Sequence, residues 1–117
     1  MFPEIANGPI VVNWADFGIS HRDQVLIESV FSSILGIQSV ILFGSRAMKN
    51  FNPGSDIDLA LQVTSEAESS KIIRKISVEL NEKSKLPYRF DLVDLSITSH
   101  EDLLEHILSF GKLIWRV

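Results

Sequence analysis

Asp56 and Asp58 stand two residues apart in a segment that alternates apolar and polar residues. On a strand, that spacing turns both carboxylates to the same face, about 7 Å apart. Paired carboxylates are hard oxygen ligands, and in a chain without cysteine they favour Mg²⁺. Mg²⁺ takes one or two carboxylates and leaves its other positions to water and substrate phosphates. Upstream, Gly44 and Ser45 follow an apolar run, where a buried strand turns into a helix. Backbone N–H groups at such a turn can hold a phosphate, and glycine lets the phosphate approach closely. A third carboxylate, Asp91, comes from a later strand. Three acids beside a phosphate-binding turn suggest two-metal chemistry at a phosphorus centre.

The elements that must position these groups follow from periodicity. Ser20 with Asp23 three residues on reads as a capping box opening a helix. Its apolar face is expected to run through Val25, Leu26, Ser29, Val30, Ser33 and Ile34, and Gly36 to stop it. Val40 to Phe43 reads as a strand buried on both faces, followed by a short helix from Ser45. Asn52, Pro53 and Gly54 make a turn before a strand over 55–63, with Ile57, Leu59 and Leu61 on one face and Asp56, Asp58 and Ala60 on the other. An amphipathic helix is predicted over 65–84, ended before Pro87. The strand predicted over 88–95 turns Asp91, Val93 and Leu95 one way and Phe90, Leu92 and Asp94 the other. A last helix begins at a cap formed by Thr98 with Glu101 or Ser99 with Asp102 and stops at Gly111, with an edge strand over 113–117. The sum is an α/β (α+β) domain: one small mixed sheet with helices packed on it.

At 117 residues the chain has room for one core. A net charge of −4 argues against a basic face gripping nucleic acid, and no direct nucleic-acid binding is expected. The lack of cysteine excludes disulfides and thiolate chemistry and leaves the cytoplasm as the expected compartment. No apolar stretch is long enough to span a bilayer, and the opening segment, broken by Asn13, does not read as a secretory leader.

The run from Gly44-Ser45 through ten residues to Asp56-x-Asp58 resembles the signature of the DNA polymerase β-like nucleotidyltransferase superfamily. With Asp91 in the following strand and so short a chain, it looks like the minimal nucleotidyltransferase (MNT) branch. The resemblance covers residues 20–117, read as the minimal nucleotidyltransferase domain, with residues 1–19 as an N-terminal extension without a functional reading. It implies a nucleotidyltransferase-like fold, with Ser45 on the triphosphate of ATP and Asp56 and Asp58 on two Mg²⁺ ions. Asp91 would complete the metal site and help deprotonate the acceptor. It further implies a HEPN-family toxin encoded nearby as partner, silenced by transfer of AMP to one of its tyrosines, within a homo- or hetero-oligomer. Two alternatives stay open: a binding-only antitoxin, and a small-molecule transferase of the aminoglycoside-modifying type, which needs an acceptor domain this chain has no room for.

Some residues carry two readings. Arg46, beside Ser45, is a phosphate contact or else a solvated residue or partner of Asp58; it is grouped with Gly44 and Ser45 as nucleotide-binding. Lys49 reads first as an exposed loop lysine. Asp94 competes with Asp91, which is preferred because it matches the family's position. His21, His100 and His106 read as surface or partly packed, and Trp14 and Trp115 as packing residues or anchors for another subunit.

Overall fold

In a computed structural model the described residues are 8–95 and 100–117. A four-stranded mixed sheet in the order β3-β2-β1-β4 is formed by β1 (Ile37–Phe43), β2 (Ile57–Val63), β3 (Phe90–Asp94) and β4 (Lys112–Arg116). The helices are α1 (His21–Ser33), α2 (Gly44–Ala47), α3 (Ser69–Ser77) and α4 (Glu101–Phe110). β1 runs antiparallel to β2 and β4, whereas β2 and β3 are parallel. Parallel neighbours require a crossover, and α3 supplies it.

Strand alternation divides the core between the two faces of the sheet. Val40, Leu42, Ile57, Leu59 and Leu61 pack with Ile27 and Phe31 of α1 and Ile72 and Ile76 of α3. Ile41, Phe43, Ala60 and Leu113 pack with Ile107 of α4 on the other side. Each fully buried aliphatic or aromatic side chain contributes about 1.5–3 kcal/mol to this core. Trp14, Phe17 and Ile19, from the segment ahead of α1, also belong to the larger cluster. Trp14 is therefore a packing residue, and Trp115 meets Phe31 edge-on with ring centroids 5.8 Å apart.

Several boundaries differ from the sequence reading. Ser20 caps α1, its Oγ accepting from the Asp23 amide at 3.2 Å, but the buried face carries Gln24, Ile27 and Phe31 while Val25 and Leu26 are exposed. Gln24 is buried because its amide group is satisfied there: it accepts from the Trp14 amide and donates to the Val12 carbonyl. The predicted helix over 65–84 is three helical pieces, a 3₁₀ turn (Glu66–Glu68), α3, and a π-helical segment (Val78–Lys83). The proposed caps Thr98 and Ser99 lie outside the described residues; His100 caps α4, its Nδ1 accepting from the Leu103 amide.

Candidate active site

β1, β2 and β3 bring the acids and the glycine turn together. Phe43, the last residue of β1, is the register partner of Asp58, and Asp58 is in turn the partner of Asp91. Gly44 thus leaves the sheet beside Asp58, with Asp91 on the strand beyond. Asp56 lies just before β2, so its direction comes from the loop and not from strand alternation as the sequence suggested. It stands close enough to Asp91 nonetheless to raise the proton affinity of that carboxyl group. Asp94 ends β3 buried on the opposite face, near Ser69, Ser70 and Arg74 of α3. The geometry therefore brings Asp91, and not Asp94, to Asp58.

Gly44 has φ +77°, in the left-handed region where a side chain is strained, and a Cβ there would collide with Asp58 Oδ2. The turn and the carboxylate fit together only because this residue is glycine. α2 begins at Gly44, so the amides of its first turn have no intrahelical carbonyl to bond. The Gly44 amide is not open, however: it donates to His106 Nε2 of α4 at 2.9 Å.

Burial first, and mutual crowding second, raise the proton affinity of Asp58 and Asp91. The Asp58 carboxyl is pushed up to about 6, first by desolvation and then by the charges of Asp91 and Asp56. Asp91 is raised by desolvation and then by the neighbouring Asp56 carboxyl group. Like charges held together in this way form a site whose strain a divalent cation relieves. Among the described residues, no three carboxylate or imidazole groups stand close enough to enclose an ion by themselves.

A family model described as polymerase beta, nucleotidyltransferase, matches residues 26–116 and so spans both the glycine turn and all three acids. The chain belongs to the polymerase β nucleotidyltransferase family. Within that family it is 30% identical over 97 residues to the probable protein adenylyltransferase MntA of Haemophilus influenzae, covering 83% of this chain and 82% of MntA, which puts it in the MNT branch. Two solved structures share the nucleotidyltransferase fold. A toxin–antitoxin crystal structure with AMP-PNP has a TM-score of 0.57 at 24% identity, covering 81% of this chain and 74% of that one. The MntA–HepT toxin–antitoxin has a TM-score of 0.52 at 22% identity, covering 84% and 74%.

In this nucleotidyltransferase Arg46 does not face the phosphate turn, which corrects the grouping with Gly44 and Ser45. It is 1% exposed, and its guanidinium donates to the carbonyls of Phe17, Gly18, Pro53 and Ser55 at 2.8–3.3 Å. The rings of Phe51 and Tyr88 each lie 5.1 Å from its Cζ. Burial lowers its pKa, and Tyr88, Asp56 and Asp58 oppose that shift. A guanidinium whose fork is used in this way ties the segment ahead of α1 to the loop that delivers Asp56. Lys49 is exposed, as expected, with its Nζ 5.8 Å from the centre of the Phe17 ring. Sequence reasoning missed His106, since a histidine among leucines on a helix gives no sign that it faces a turn 62 residues earlier. Among the described residues, no helix is long and apolar enough to cross a membrane.

Proposed function

We propose that this chain transfers AMP from ATP to a hydroxyl of a partner protein of the HEPN toxin class and thereby silences it. The observation that carries the reading is the convergence of Asp58 and Asp91, in register on parallel strands, on the glycine turn at the end of β1. The likeness to MntA, described as a probable protein adenylyltransferase, supports adenylyl transfer, and the toxin–antitoxin setting of the structures that share its fold is in keeping with a toxin as acceptor. The reaction belongs in the cytoplasm, where ATP and reduced proteins are found.

Asp56, Asp58 and Asp91 would hold Mg²⁺, which supplies charge neutralisation on the triphosphate and at the leaving pyrophosphate. Ser45 and the amides after it line the turn on which the phosphates rest. The acceptor oxygen attacks the α-phosphorus in line, a new P–O bond forms, and the bond to the bridging oxygen of pyrophosphate breaks. Asp91, whose side chain is 47% exposed, is open to the acceptor and would take its proton.

The test is to add each nucleoside triphosphate with Mg²⁺ to the complex of this chain with its partner and weigh both proteins by intact mass spectrometry. An AMP-sized gain on the partner, lost with Asp58→Asn plus Asp91→Asn, is the expected result. A complex that forms and inhibits the partner with no mass gain would leave a binding-only antitoxin and defeat the transferase reading.

A further inference from the structure

The site contains one polar contact that metal binding and phosphate transfer do not call for. His106, in the middle of α4, accepts the Gly44 amide proton on Nε2 at 2.9 Å. To accept, Nε2 must present a lone pair to the turn. The ring is oriented from two sides. Phe43, the residue before Gly44, lies edge-on with centroids 6.0 Å apart, and Phe110, one helical turn further along α4, is tilted against it at 5.3 Å. One aromatic residue therefore comes from the turn itself and the other from the helix that holds it.

Gly44 is constrained on its other side as well. Its φ is +77°, and its Cα sits where a Cβ would overlap the Asp58 carboxylate. The glycine is thus held between a carboxylate of β2 and an imidazole of α4. Rotation of the 43–44 peptide would break the bond to His106 and move the turn relative to Asp58.

We propose that His106 is a positioning residue for nucleotidyl transfer: from α4 it holds the Gly44 amide and fixes the turn in the geometry that receives the triphosphate beside Asp58. This rests on the transferase reading above. Because the effect falls on the seat of the phosphates, it is expressed in nucleotide affinity more than in the chemical step.

His106→Phe keeps a ring between Phe43 and Phe110 and removes the acceptor, whereas His106→Gln retains an acceptor of similar reach. Three quantities are measured on the full chain: Kd for ATP with Mg²⁺ by calorimetry, kcat at saturating ATP with the partner present, and exchange of the Gly44 amide proton by NMR. The expected result for His106→Phe is an increase in Kd of about five- to tenfold. Its kcat stays within about twofold, exchange at Gly44 accelerates, and His106→Gln recovers most of both. Unchanged Kd in His106→Phe, or a Gly44 amide protected as in the parent chain, overturns the proposal. If His106→Phe fails to fold, His106→Leu, which also lacks an acceptor, takes its place: weaker ATP binding and faster Gly44 exchange than in His106→Gln support the role, and parental values of either overturn it. Should the parent chain bind and transfer no nucleotide, the transferase reading falls, while Gly44 exchange in the variants still reports whether His106 holds the turn.

Discussion

Gly44 lies against Asp58 so closely that a methyl group added to the glycine would overlap the carboxylate oxygen Oδ2. Gly44→Ala therefore meets two obstacles, a left-handed backbone and an occupied space. The expected loss of stability is about 1–2 kcal/mol, measured by urea unfolding. Displacing Asp58 by a fraction of an ångström should also lower the transfer rate by about a hundredfold. Parental activity in a folded Gly44→Ala chain would show that the turn and the carboxylate do not act together.

The raised proton affinity of Asp58 makes stability depend on pH in a definite direction. Its pKa is about 6 in the folded chain against 3.8 for an ordinary aspartate. Between those values the folded state binds more protons than the unfolded state, so stability falls as pH rises from about 4 to 6 and stays lower at pH 7. The side chain is partly exposed, and screening reduces the full linkage to about 1 kcal/mol. In buffer free of divalent cations, Asp58→Asn should therefore raise the melting temperature at pH 7 by several degrees and give no gain near pH 4. Added Mg²⁺ should stabilise the parent chain more than the variant. A gain independent of pH would point to packing and not to charge.

Arg46 and Tyr88 can be separated by substitution. Arg46→Lys leaves several carbonyls without a donor and removes the planar group between two rings; the expected cost is about 3 kcal/mol or more. Tyr88→Phe keeps the ring over the guanidinium and removes only the hydroxyl that donates to Asp23 Oδ2 at 2.6 Å, at a cost of about 1 kcal/mol. Denaturant midpoints of the two variants give the comparison. Equal midpoints would mean that Arg46 is not the strut the geometry describes.

Asn81 makes paired hydrogen bonds to one residue of β3: its Nδ2 donates to the Phe90 carbonyl at 3.0 Å and its Oδ1 accepts from the Phe90 amide at 2.8 Å. Asn81→Ala leaves both backbone groups to find water, at a cost of about 1–3 kcal/mol. Exchange at the Phe90 amide should rise in step. Because Asp91 is the next residue, transfer activity should also fall; activity at the parental level with fast Phe90 exchange would separate the strand end from the site.

What could be read from the sequence was what depends on near neighbours. Alternation on β2 and β3 put Asp58 with Ala60 and Asp91 with Val93, and the structure has the same faces. What could not be read depends on partners far along the chain. Gln24, absent from the apolar face expected of α1, is buried because Val12 and Trp14, from the segment ahead of the helix, satisfy its amide. Arg46 looked like a phosphate ligand because its neighbour is Ser45, yet four carbonyls and two rings from other segments enclose it. Apolar residues stand on more than one side of α1, and only tertiary packing selects Ile27 and Phe31 over Val25 and Leu26. The π-helical turns after α3 have no pattern in residue type that distinguishes them from an α-helix.

The bonds from Asn81 to Phe90 bear on how this molecule behaves at high concentration. β3 is an outer strand of the sheet, and the amide and carbonyl of Phe90 point away from β2. Unfilled, such a pair is a template on which a strand of another molecule can align and begin an aggregate. A side-chain amide, presented by the widened turns of Val78–Lys83, takes that place and mimics the missing strand over one residue. At the residue next to Asp91 the sheet edge therefore offers no open amide and carbonyl pair to a strand of another molecule.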